Sequence, residues 1–385
     1  MQHRTLLRTL TIILIFSSGL TGCMAANPQN VVNEIRVGVI ASITGSIPNV
    51  GKSTIEAAEM AVKEVNEEGG LEVGGRKYNV VILTEDDQDN SEAAVAVAEK
   101  LINQQNVVAI IGPQASRNAI PVANVAENAH IPMISPWSTN PDTTTGKQYV
   151  FRTAFIDPFQ GQVMARFTFE ELNATKAAVL YDIASPYNRG IAEIFKQVFE
   201  AAGGQIVAFE SYTTGEQDFT KQLQQIKDSG AEVLFLPNYE NEVPQQAELA
   251  RKMGLDIPII GSDAWGTIPP ENRTWLEGSY FSTHYATDIA DEPARTFIEK
   301  YSQSYNHIPD DVAALTYDAF GILFQAIQSQ GKIDPEAIRV GLAGIESFTG
   351  VTGKMQYRGN GDPVKSAVIL QVKDGKFLYY KQATP

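Results

Sequence analysis

The sequence predicts an α/β protein of two lobes, each a parallel sheet covered by helices on both faces. From Glu34 onward, short β-branched runs alternate with longer amphipathic stretches, the pattern of strand and helix units that builds parallel sheets. The alternation runs through two successive series, then a pair of helices near 291–305 and 311–329 and a strand-rich tail. The chain has 385 residues, 43% of them hydrophobic, enough for large cores and long enough to favour two domains.

The first segment is not a fold element. His3, Arg4 and Arg8 precede an apolar run through Leu10, Ile12, Ile13, Leu14, Ile15 and Phe16, which reads as a signal peptide over residues 1–22. Leu20-Thr21-Gly22-Cys23 resembles the bacterial lipobox, so Cys23 is expected to become the acylated N-terminus, with 23–33 as a tether. Cys23 is the only cysteine, so no disulfide framework exists. Acyl chains contribute about 0.8 kcal/mol per buried CH2, which would hold the chain at a membrane surface.

Arg36 to Ala41 reads as a buried strand, and the next helix places Ala58, Ala61, Val62 and Val65 on one face until Gly69-Gly70 stops it. Gly74-Gly75 joins two strands as a hairpin leading into Tyr78 to Thr84, followed by a helix with Ala94, Val97, Ala98, Leu101 and Ile102 inward. Further strands are expected at 107–111, 132–135, 177–181, 206–210, 233–236 and 257–260. Helices are expected near 117–129, 158–171, 187–201, 219–228 and 242–253.

Three loops fall at the carboxyl ends of these strands, where open α/β sheets place their ligands. Ile110 to Asn118 feeds a helix N-terminus, whose free N–H groups favour a carboxylate while Ser116 adds a hydroxyl; the alternative is that Ser116 only caps the helix. In Met133 to Pro141, prolines hold an extended loop that can present Trp137, Ser138 and Thr139. Ile260 to Trp265 delivers Asp263, for which an exposed loop carboxylate is the alternative.

Together these segments resemble the leucine/isoleucine/valine-binding protein family of ABC importers. The resemblance is carried by Ile35 to Gly45, Leu83 to Gln88, Ile110 to Pro113, Ile131 to Pro136, Phe151-Arg152-Thr153, and Tyr181 with Tyr187 to Gly190. It implies the type I periplasmic-binding-protein fold, two Rossmann-like lobes joined by three crossover strands near Thr153, His284 and Val351. Lobe 1 is then 34–152 plus 285–350, and lobe 2 is 153–284 plus 351–385. It also implies a binding protein, not an enzyme, that holds a small ligand, an amino acid of branched-chain or other neutral type, between its lobes. Ser116 and Thr139 then match the carboxylate and amine contacts, Trp137 a backbone contact, Tyr187 and Tyr239 second-lobe aromatics, and Asp263 the acid for the ligand ammonium. Trp137 stands where the family often has alanine, so its ring narrows the pocket, stacks on a flat ligand or points away. The other readings kept open are a short amide or aromatic acid as ligand, and a sensory role.

The implied partners are an ABC permease and a membrane surface reached through the anchor, with the protein itself a monomer. The formal net charge of −15 repels nucleic acid. Ser46 to Ser53 nearly fits a phosphate-binding loop, but the first glycine is Ser46 and Pro48 removes a donor. An EF-hand register from Asp87 places Glu92 where glycine is needed, and His130, His284 and His307 show no zinc spacing. No metal or cofactor is expected.

Overall fold

The structure, a computed structural model, describes residues 33–385; the expected leader and Cys23 lie outside them. β1 (Glu34–Ala41) feeds α1 (Pro48–Glu67), where Pro48 sits in the first turn and its missing N–H costs nothing. β2 (Leu71–Val73) and β3 (Arg76–Asp86) form the expected hairpin across Gly74-Gly75, both at positive φ. α2 (Ser91–Asn103) is capped by Asn90, whose side chain accepts from the N–H groups of Glu92 and Ala93. β4 (Ala109–Ile111), α3 (Ser116–Ala129), β5 (Met133–Ser135) and β6 (Val150–Arg152) complete a sheet of order β2-β3-β1-β4-β5-β6, parallel except for β2.

The chain then builds the second sheet. α4 (Asp157–Glu170), β7 (Lys176–Asp182), α5 (Pro186–Ala201), β8 (Gln205–Tyr212), α6 (Thr220–Asp228), β9 (Val233–Leu236), α7 (Val243–Lys252), β10 (Ile259–Gly261) and β11 (Tyr280–Thr283) follow in order. α8 (Ala294–Tyr305), α9 (Asp311–Gln330) and α10 (Pro335–Ala343) return to the first lobe. β12 (Ser347–Gly350), β13 (Gly353–Tyr357) and β14 (Pro363–Val364) make a small antiparallel sheet. β15 (Ala367–Lys373) and β16 (Lys376–Ala383) rejoin the second sheet, whose order is β16-β15-β11-β10-β9-β7-β8.

Each sheet is buried on both faces, which explains why its strands read as continuous apolar runs. In lobe 1, Ile35, Val37 and Val39 pack with Ala58, Phe320 and Leu323, while Ile40 and Ile110 pack with Ala98, Leu101 and Val122 on the other side. In lobe 2, Val179 and Phe235 meet Met164, Phe195 and Phe199, while Leu180 and Leu234 meet Leu223, Ile226 and Ala247.

The chain passes between the sheets after β6, β11 and β14. Lys365 ties two of these passages together: its buried Nζ donates to Thr153 O at 3.2 Å and Thr352 Oγ1 at 2.5 Å. The sequence boundary set at 350/351 falls inside the β12–β13 hairpin, where Gly350 pairs with Gly353. β11, α10 and the short 3-10 turns between Asp263 and Leu276 were not among the expected elements.

Strand order reverses between β1 and β4 in the first sheet, and between β7 and β9 in the second. Such reversals open a crevice beyond the strands' carboxyl ends. The loops after β4, β5, β7, β9 and β10 therefore face a common cleft.

Candidate functional site

On the lobe 1 side the backbone sets the geometry. Gly112 follows β4 at φ +95°, and a Cβ there would stand 2.2 Å from Ile40 O, so only glycine lets this turn close against β1. The residue before α3 is Ala115, which makes no side-chain cap, so the Ser116 hydroxyl is not spent on capping. Ser116 Oγ lies 2.9 Å from Ser138 Oγ, which lies 2.8 Å from Thr143 Oγ1. The start of α3 offers free N–H groups and the positive end of the helix dipole.

The loop after β5 is gripped by Arg152, which is fully buried. Its guanidinium donates to Ser138 O at 2.7 Å, Asn140 O at 2.9 Å and Thr144 Oγ1 at 2.8 Å, and Asp362 balances its charge at 2.7 Å. Thr139 sits between the two gripped carbonyls. Its own carbonyl accepts from Asp157 N at 2.9 Å, and its hydroxyl faces the Asp157 carboxyl.

On the lobe 2 side a carboxylate is the centre. Asp263 opens a 3-10 turn after β10 and is buried. Tyr187 OH donates to Asp263 Oδ1 at 2.5 Å and lies 2.8 Å from Ser262 Oγ, while His284 Nε2 is 3.3 Å from Asp263 Oδ2. Burial pushes His284 down to about 4, so the ring is neutral at pH 7 and donates as N–H. Burial, with repulsion from Asp263 added, pushes the nearby Asp157 up to about 7. Burial and the neighbouring acids Asp310 and Asp263 raise Asp311 well above the usual range. The Tyr239 ring stacks beside Tyr187, with centroids 5.0 Å apart, and lies under the Arg117 guanidinium at 4.5 Å.

Between these two halves lies a narrow, nearly closed space lined by Gln114, Ser116, Trp137, Tyr187, Tyr239 and Asp263. Five of the seven expected ligand residues thus surround one cavity. Ser138 and Thr139 do not line it; their loop is turned so that Ser138 Oγ bridges Ser116 and Thr143. Trp137 does not point away. Its indole N–H donates to Asp311 Oδ2 at 3.1 Å and its ring lies 6.0 Å from that of Tyr239, so it narrows the space. The lobes also touch through Asn49 Nδ2 and Glu240 Oε2 at 3.1 Å, and Asn140 Nδ2 and Pro186 O at 3.0 Å.

Gln114, Arg152, His284 and Asp311 were not singled out as site residues in the sequence. Gln114 lies in the first of the three loops and Arg152 in a segment that carries the resemblance, whereas His284 and Asp311 reach the site only through the fold. Asp263, His284 and Asp311 bring ligand atoms within 4.8 Å of one another, a spacing open to a cation. Each is already engaged: Asp263 by Tyr187, His284 by Asp263, and Asp311 by the Trp137 indole. The arrangement is a relay from Tyr187 through Asp263 to His284, with a separate Trp137–Asp311 pair beside it. Ser53 Oγ donates to Asp310 at 2.6 Å and Lys52 lies 3.9 Å from Glu56, so neither faces a phosphate cradle. The acidic turn is internally satisfied, Asp86 by the N–H groups of Ile43, Thr44 and Gln88, and Asp89 by Arg117.

The chain as a whole has counterparts among known proteins. A family model described as periplasmic binding protein matches residues 34–376. The leucine-, isoleucine-, valine-, threonine-, and alanine-binding protein of Pseudomonas aeruginosa is 28% identical over 335 residues, 86% of this chain and 87% of the relative. A solved leucine binding protein of Thermotoga maritima superposes with a TM-score of 0.85 at 31% identity, covering 91% of this chain and 99% of the other. The branched-chain amino acid transporter substrate binding protein of Streptococcus pneumoniae, solved with isoleucine, gives a TM-score of 0.85 at 30% identity, covering 91% and 100%.

Proposed function

This chain belongs to the periplasmic binding protein family, with the leucine/isoleucine/valine-binding proteins among its relatives, and we propose that it captures a free neutral amino acid for an ABC importer. Such proteins bind solutes outside the cytoplasm. The observation that carries the reading is the polarity of the cleft. One wall offers a helix N-terminus and the Ser116 hydroxyl, and the other offers the buried Asp263. A zwitterion has the opposite layout, a carboxylate for the first wall and an ammonium for the second.

Each charge of the ligand sheds water on entering the closed cleft and must regain charge-assisted hydrogen bonds. The start of α3, with Ser116, takes the carboxylate. Asp263 takes the ammonium, held in aim by Tyr187 and His284. The open form binds on lobe 1, and hinge closure about the three passages brings Tyr187, Tyr239 and Asp263 over the ligand. The closed form docks on the permease, and acylated Cys23 keeps the monomer at the membrane. No residue of the cleft is assigned a catalytic step.

The test is a thermal-shift screen of refolded, ligand-stripped protein against amino acids and small organic acids. A ligand at about 100 times its Kd should add roughly 2.7 kcal/mol of stability. Stabilisation by acids lacking an amine, with none by amino acids, would reject the reading.

A further inference from the structure

Gln114 lines the cavity and has no task in the capture of a zwitterion's two charges. It is fully buried, and neither its amide nitrogen nor its amide oxygen has a hydrogen-bond partner among the described residues. A glutamine amide carries two N–H donors and an acceptor oxygen, and buried polar groups are almost always paired. Trp137, fixed by its bond to Asp311, lines and narrows the same space. A wall with an unpaired amide and little room is ill matched to a branched aliphatic side chain, which would keep Gln114 both dry and unpaired.

We propose that the side chain of the ligand is small and polar, a hydroxyl or carboxamide that hydrogen-bonds Gln114. The assignment rests on the amino-acid reading above and sharpens it. A hydroxyl both donates and accepts, so it suits either atom of the amide; a carboxamide can meet both at once. Replacing such a group by a methyl leaves the amide desolvated without recompense, which weakens binding by about 5- to 150-fold.

Threonine and valine have nearly the same shape and differ by hydroxyl against methyl, so they isolate this contact. Calorimetry on the ligand-stripped full-length protein should give threonine at least about fivefold tighter binding than valine, and serine the same advantage over alanine. In Gln114→Leu the threonine preference should vanish or invert. Valine binding as tightly as threonine to the wild type overturns the proposal while leaving the amino-acid reading intact. An unchanged threonine-to-valine ratio in a folded Gln114→Leu protein does the same. Binding of none of these four, nor of asparagine or glutamine, overturns the proposal, and the thermal-shift screen then decides the amino-acid reading separately. The wild-type ratio decides the matter even where the variant fails to fold.

Discussion

The two walls of the cleft are built in opposite ways. The lobe 1 wall is made of donors that backbone geometry supplies locally: the start of α3, the turn at Gly112 and the loop clamped by Arg152. Residues along it are close in sequence, Ser116 and Ser138 being 22 apart. The lobe 2 wall is made of side chains that only sheet order brings together: Tyr187 and Asp263 are 76 residues apart. It is rich in carboxyls, with Tyr187 and His284 donating to Asp263, and burial has shifted several of its acids. A wall of fixed dipoles serves an anion at any pH. A wall of buried carboxyls serves a cation and responds to protons.

The largest expected effect breaks the first wall. Arg152→Met removes the donor that serves two loop carbonyls and leaves Asp362 without its partner. Removing one member of a buried pair costs about 3–5 kcal/mol. Urea unfolding should show that loss, with ligand affinity falling alongside it. Unchanged stability would mean the loop holds its shape without the clamp.

The next effect sharpens the contrast in pH response. Asp157, Glu240 and Glu242 are each pushed up to about 7, chiefly by burial. A carboxyl raised in the folded state gives stability that is full below its unfolded pKa and lost as pH rises through about 7. His284 works the other way, its contribution being present above about 6.5 and lost as pH falls through about 4. Glu240→Gln removes one of the three carboxyls, so unfolding free energy should decline less steeply from pH 5 to 7.5, by about 1–3 kcal/mol over that window. Parallel curves for wild type and variant would place Glu240 in solvent-like surroundings.

A smaller change probes the support of Asp263. Tyr187→Phe keeps the ring and removes the hydroxyl that donates to Asp263 at 2.5 Å. The bond goes to a carboxylate, worth about 1.5–3 kcal/mol where such a group is lost from the ligand itself, but it only aims Asp263, so affinity should fall about 2- to 10-fold. Equal affinity would show that Asp263 keeps its aim without the phenol.

The same contrast explains what the sequence could tell. The α/β architecture was legible because both faces of each sheet are buried, which leaves plain apolar runs and amphipathic helices. Lobe 1 loops were legible because a strand, a glycine turn and a helix start are adjacent in the chain. β11 and α10 escaped because neither carries a strong period: Tyr280 to Thr283 has only four residues, and Pro335 to Ala343 nine. In the site, Tyr187 and Tyr239 came only from the family resemblance, whereas Asp263 was marked by its place just after a strand. His284 and Asp311 had no local signal, since a lone histidine near a strand end and an aspartate at a helix start usually do other work. Gln114 stood in plain view between Pro113 and Ala115, but polarity there says nothing until its burial is known.

The central claim is that Asp263 neutralises a ligand ammonium while lobe 1 holds the carboxylate. Calorimetry on wild type and Asp263→Asn tests it, using the best-binding amino acid of the screen and its des-amino counterpart. A charge-assisted bond is worth about 1.5–3 kcal/mol, so the amino acid should bind the variant at least about tenfold more weakly. The des-amino acid should bind the variant as well as, or better than, the wild type. Equal losses for both ligands would make Asp263 a structural group and contradict the account.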